Sequence, residues 1–102
     1  MNWSPISEFE LHKLIKDQSE VLEQPELDFY NSIKVSLELT PIDRFGKIEN
    51  VFVLAKFNDL VLFYEDIEEG FEITSLNSNG VISEYGANQY ELSHVIHQLM
   101  NR

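Results

Sequence analysis

A chain of 102 residues with 43% hydrophobic and 12% aromatic side chains has material for one core and too much apolar content to stay disordered. Eighteen Asp and Glu against seven Lys and Arg leave a formal charge of −11, which argues against nucleic acid and anionic membranes as partners, because phosphate recognition needs a basic face. The absence of cysteine excludes a disulfide framework, a thiol nucleophile and a Cys-based zinc site.

The opening Met1-Asn2-Trp3-Ser4-Pro5 has neither a basic n-region nor an apolar h-region, so no signal peptide is expected. No apolar run approaches the roughly 18 residues that span a bilayer. A soluble cytoplasmic protein is the expectation. There is no repeat, low-complexity tract or long linker, so residues 1–102 read as a single α+β domain.

The first predicted element is a helix over residues 5–23. It starts at Ser4 before Pro5, or at Ser7 with Glu10 as its capping-box partner. Leu11, Leu14, Ile15, Gln18 and Leu22 form its inward stripe, and Pro25 is expected to end it. Leu27 to Asn31 reads as a further short turn. Ile33 to Thr40 alternates: Ile33, Val35, Leu37 and Leu39 on one side, Lys34, Ser36, Glu38 and Thr40 on the other. That is a half-buried strand. Pro41 to Lys47, with Asp43 and Gly46, reads as a loop.

Val51 to Phe57 and Leu60 to Glu65 are predicted to form a hairpin around Asn58-Asp59, two residue types that tolerate hairpin-turn conformations. Both strands are apolar on both sides, as expected for the centre of a sheet with both faces at least partly covered. Gly70 to Leu76 is a fourth strand, Asn77 to Gly80 a turn, and Val81 to Tyr85 a short fifth strand. Asn88 with Glu91 resembles the cap of a last helix whose stripe is Leu92, Val95, Ile96 and Leu99. The predicted architecture is an N-terminal helix, a five-stranded antiparallel meander and a C-terminal helix, with both helices on one sheet face.

Few residues carry chemistry. His94 and His97 lie three apart on the last helix and His12 sits on the first. Their spacing lacks the i, i+4 pair and internal glutamate of the zincin motif, so packed or solvated histidines and no metal site are expected. Gly-x-Ser-x-Gly, Gly-x-Gly-x-x-Gly and Gly-Lys-Ser/Thr are all absent, so neither a serine nucleophile elbow nor a phosphate cradle is indicated, and no cofactor is expected.

The acidic residues are the unusual feature. Asp59 to Glu72 carries −6 of the −11, against −4 for residues 1–58 and −1 for residues 73–102. The spacing of Glu65-Asp66-Ile67-Glu68-Glu69 does not match a calcium loop, and a hydrophilic turn would ionise both members of an acid/base pair. A solvated acidic loop is the plain reading. A docking surface explains more, because clustered like charges repel one another until a cationic partner relieves them. Tyr64 and Phe71 bracket the acidic run, and Tyr85 and Tyr90 flank the following loop. Aromatic residues ringed by charge are a common hot-spot composition, whereas core packing is their structural alternative. The expected partner-binding residues are Tyr64, Glu65, Asp66, Glu68, Glu69, Glu72, Tyr85 and Tyr90. The carboxylates are expected to lie exposed and close together at the mouth of the sheet.

Trp3-Ser4-Pro5-Ile6-Ser7-Glu8, the run Leu62 to Glu72 containing Tyr64-Glu65-Asp66-Ile67-Glu68-Glu69-Gly70-Phe71, Gly80 to Tyr85, and Asn88-Gln89-Tyr90-Glu91-Leu92 together resemble a group of small bacterial toxin-immunity proteins found beside polymorphic and contact-dependent growth-inhibition toxins. The resemblance spans most of the chain, and Phe29 to Asn50 fits it least. It implies a non-enzymatic inhibitor, monomeric or weakly homodimeric, that binds one cognate toxin domain. An acidic inhibitor in turn implies a basic target such as a nuclease. Gly70 and Phe71 also have structural readings, a positive φ and a core contact. The alternative function is a small structural or adaptor module, homodimeric through an open sheet face carrying Phe52, Leu54, Val61 and Phe63. A carboxylate-dependent hydrolase has no poised pair to support it.

Overall fold

The computed structural model describes residues 4–102; Trp3, which opens the resemblance, lies outside the described residues. The described elements are α1 (Glu8–Ser19), α2 (Gln24–Ile33), β1 (Lys34–Arg44), β2 (Lys47–Phe57), β3 (Leu60–Glu65), β4 (Gly70–Ser75) and α3 (Leu92–Met100). The class is α+β, and the strands form an antiparallel meander in the order β1-β2-β3-β4. Among the described residues the sheet has four strands rather than the expected five, and there are three helices rather than two.

The helices start where local chemistry directs. Ser7 caps α1: its Oγ accepts from Glu10 N–H and the Glu10 carboxylate accepts from Ser7 N–H, both at 3.1 Å. Pro25 does not end a helix; it sits in the first turn of α2, where its missing N–H is harmless. Residues 27–31 are therefore helix interior, with Tyr30 and Ile33 buried. Glu91, not Asn88, is the N-cap of α3. Gln18 of α1 accepts from Leu92 N–H at 2.6 Å, so one helix satisfies an orphan donor of another. The stripe Leu92, Val95, Ile96 and Leu99 is buried as expected.

All three helices lie on one face of the sheet. Leu11, Tyr30, Ile33, Leu92, Val95 and Ile96 pack there against Leu54, Ala55, Leu62, Tyr64 and Phe71. A second, smaller core on the opposite face holds Ile42, Val51, Val53, Val61, Phe63 and Ile82. Its cover is the irregular segment 76–91, called here the strap. The strap contains the expected fifth strand, but Val81 to Tyr85 makes only an isolated parallel bridge between Ile82 and Ile42. Asp43 N–H donates to Ile82 O at 2.8 Å and Ile82 N–H to Pro41 O at 2.9 Å, on the free edge of β1. The strap then crosses to β4, where Thr74 Oγ1 donates to Glu84 O and Phe71 N–H to Tyr90 O.

Two irregularities decide which residues face which core. β1 does not stop at Thr40; it runs through Pro41 to Arg44 and turns at Phe45-Gly46 into β2. An irregularity between Lys34 and Glu38 inverts its alternation. Thr40, Ile42 and Arg44 become buried and Leu39 is left exposed. A second shift between Val53 and Ala55 pairs Val53 with Phe63. Phe52 and Leu54 therefore lie on the helix side and Val61 and Phe63 under the strap. These four residues do not form the single open surface expected of a homodimer contact.

Candidate functional site

The acidic run folds differently from the expected exposed knot. Glu65 ends β3 and Asp66 follows it, and both side chains are buried, Glu65 to 2% exposure. Extension of β1 delivers Arg44, itself 8% exposed, between them. Arg44 Nη1 donates to Glu49 Oε1 at 2.9 Å, and Nη2 donates to Glu65 Oε1 and to Asp66 Oδ1, the latter at 3.1 Å. Glu65 also accepts from Ile67 N–H, and Asp66 Oδ2 from Ile6 N–H, both at 3.1 Å. Buried carboxylates need this degree of satisfaction. Burial alone would lower the Arg44 pKa, but hydrogen bonds to Glu49 and Glu65, with the Glu65 charge, raise it above its ordinary value. The Arg44 hydrogen bond holds Glu49 below the usual carboxylate range.

The remaining candidates divide between core and surface. Tyr64 is buried on the helix side, edge-on to Phe71 at 5.1 Å, and burial pushes its pKa up. Glu72 is buried beneath the strap, where Oε2 accepts from Asn88 N–H at 2.9 Å. Tyr90 is half-buried, with its backbone bridged to Phe71 and its ring 5.8 Å from His94. Glu69 is exposed and takes φ +58°, so the positive φ belongs to it and not to Gly70. Gly70 is needed for close approach: a Cβ there would meet Gln89 Cα at 2.4 Å. The two segments that carry most of the resemblance thus touch through Gly70–Gln89, Phe71–Tyr90 and Glu72–Asn88.

Glu65, Glu68 and Tyr85 do come together, in a cleft of about 830 Å³ between the β1–β2 turn, the β3–β4 turn and the strap. Its lining carries five carboxylates, on Asp43, Glu49, Glu65, Glu68 and Glu84, against the cations Arg44 and Lys47. Arg44 is occupied by its three partners, and Lys47 approaches Glu49 at 3.6 Å. The Glu68 and Glu84 side chains have no hydrogen-bond or ion-pair partner among the described residues. Tyr85 stands edge-on to Phe63 at 6.5 Å, and burial, then the Glu65 charge, pushes its hydroxyl pKa up.

Phe45 and Ile67 line the same cleft and are exposed, Phe45 completely. Phe45 and Gly46 have φ of +56° and +89°, a pair of left-handed residues as in a type I′ turn, where Asn-Gly is preferred. Asp43 Oδ1 steadies the turn by accepting from Gly46 N–H at 2.7 Å. Asp43, Phe45, Glu49, Ile67 and Glu84 were not among the residues expected from sequence. The available signal was a two-residue loop ending in Gly46, flanked by alternation of opposite parity.

The side chains of two of the three histidines have partners, one within α3 and one across to α2. His94 Nδ1 accepts from Glu91 N–H at 3.1 Å, and His97 meets the Glu26 carboxylate. No helix among the described residues is long and apolar enough to cross a membrane. Comparisons of the chain with protein families, curated proteins and solved structures found no match.

Proposed function

We propose that this chain is an inhibitory binding protein, an immunity protein that docks on a basic toxin domain of the nuclease type. The observation that carries the reading is the cleft: five carboxylates, two of them unpaired, beside an aromatic side chain fully exposed in a left-handed turn. A monomer gains nothing from exposing Phe45 in that conformation, whereas an interface anchor needs exposure. The excess negative charge around it accelerates encounter with a cationic groove and favours such partners over acidic ones. The binding surface proposed is Asp43, Phe45, Ile67, Glu68, Glu84 and Tyr85, with Glu69 beside it. Glu65, Asp66 and Glu72 support this surface from within.

The test is co-expression with the product of the gene immediately upstream, affinity purification and titration across salt concentrations. A stoichiometric complex that weakens with salt is expected. Glu68→Gln with Glu84→Gln should weaken it about tenfold or more while leaving thermal unfolding of the free protein nearly unchanged. A complex indifferent to salt and to both changes would place the interface elsewhere.

A further inference from the structure

We propose that Asn79-Gly80, in the exposed turn of the strap, is a self-modification site, where the chain loses ammonia and gains a carboxylate, and that the isoaspartyl product loosens the strap from β1. The inference is independent of what the cleft binds.

Asparagine is labile where the next backbone nitrogen reaches its own side chain, because both reactants are held on one chain. The Gly80 nitrogen attacks Asn79 Cγ. The new N–C bond closes a cyclic imide, the C–N bond of the side-chain amide breaks, and the departing nitrogen takes the Gly80 proton and leaves as ammonia. Water then opens the imide. Opening at Cγ gives aspartate on an unchanged backbone. Opening at the backbone carbonyl gives isoaspartate, whose backbone is one carbon longer. Either product carries a new negative charge.

The chain has one Asn-Gly pair. A side chain on the following residue shields its nitrogen, and glycine has none. Gly80 has φ +76°, and a Cβ there would meet nothing within 4 Å, so the approach is open. Asn79 is exposed, and its side chain has no hydrogen-bond partner among the described residues. Asn77 is the contrast: its Oδ1 accepts from Asn79 N–H at 2.9 Å and from Val81 N–H at 3.0 Å, and Ser78 follows it. Gly80 N–H donates to Asn77 O at 3.0 Å and must be released before it attacks. That bond lies in an exposed turn, so the need to open it slows the reaction by about tenfold at most.

The turn is pinned at both ends. Asn77 N–H donates to Val81 O at 2.9 Å, and Val81 leads into Ile82, which is fully buried and bonded through its backbone to Pro41 and Asp43. An extra backbone carbon between Asn77 and Val81 displaces Val81 and, with it, Ile82. Aspartate at the same position leaves both in place.

The experiment incubates the purified full-length protein at mildly acidic and mildly alkaline pH, beside a free peptide covering residues 73–84. Peptide mapping under acidic conditions should show a gain of about one dalton on Asn79 alone, faster at the higher pH and within about tenfold of the free-peptide rate. Asn79→Gln should remove it. The isoaspartyl form, separated by charge and identified by enzymatic methylation of its free carboxylate, should lose hydrogen-exchange protection at Ile82 N–H, whereas the Asn79→Asp variant keeps it. Conversion slower than that limit, conversion spread over the other asparagines, or an isoaspartyl form with Ile82 N–H as protected as before would overturn the inference.

Discussion

Arg44 holds together the end of the molecule that the acidic run occupies. Its guanidinium is shared by Glu49, Glu65 and Asp66, and the last two are buried. Arg44→Met leaves two buried carboxylates without their cation, and a loss of about 3–5 kcal/mol in chemical unfolding is expected. Asp66→Asn should likewise destabilise, because Asp66 meets both Arg44 and Ile6 N–H; an exposed acid would have given the opposite sign. The Glu49 pKa is depressed in the folded state. Its contribution is therefore present above its ordinary value of 4.5 and is lost as pH falls through the lower folded value. Acid titration followed by circular dichroism should show stability declining below that pH, with less decline in Glu49→Gln. Phe45 has the reverse balance. Phe45→Asn relieves an aromatic residue at φ +56° and should raise stability by about 0.5–1 kcal/mol. On the proposed docking function the same change weakens partner binding, so thermal stability and affinity are expected to move in opposite directions.

At the level of elements, the strap is the part with least regular structure and most consequence. It covers the second core, bridges β1 at Ile82, and lies against β4 so closely that Gly70 has no room for a Cβ. Gly70→Ala should cost about 1–3 kcal/mol, because the atom it meets is Gln89 backbone, not a flexible side-chain end. Hydrogen exchange should localise the effect, with Phe71 N–H, bonded to Tyr90 O, losing protection before the β2–β3 ladder does. Ile82→Ala removes the strap's fully buried anchor and should cost about 2–4 kcal/mol, with loosening of the cleft wall formed by residues 83–87. α2 and β1 show how a local signal supports two readings. Pro25 is compatible with a helix end and with a helix first turn, and Pro41 sits within an edge strand, where a missing N–H is tolerated.

For the molecule as a whole, one sheet serves two cores, and the larger one contains a titratable group. Tyr30 is buried among the helices, and that burial pushes its pKa from 10.0 up to about 12. The neutral phenol is favoured in the folded state. Stability is therefore intact below pH 10.0 and declines as pH rises towards about 12. Alkaline unfolding monitored by phenolate absorbance should show this decline, and Tyr30→Phe should lessen it. The net charge of −11 adds repulsion that salt screens, so moderate salt should stabilise the free protein while weakening the proposed complex with a basic partner.

The class of fold, the cap of α1, the stripes of α1 and α3 and the β2–β3 hairpin were legible in residue order, because each depends on neighbours within a few positions, whereas the cap of α3 falls at Glu91 and not at the expected Asn88. Ser7 with Glu10, Leu92 with Val95, Ile96 and Leu99, and Asn58-Asp59 carry their own instructions. What the order of residues did not reveal was the pairing of distant ones. The shifts in β1 and β2 each move side chains to the opposite face, and a period-two pattern carries no mark of the extra residue. The strap has no period at all, because it is held by single contacts with β1 and β4. The acidic run shows the difference most clearly. Six acids in fourteen residues predict a repelling, solvated loop, but Arg44, 21 residues before Glu65, turns Glu65 and Asp66 into buried structure. Tertiary structure alone leaves Glu68 and Glu84 facing the cleft, because Coulomb's law acts on distance in space and not along the chain.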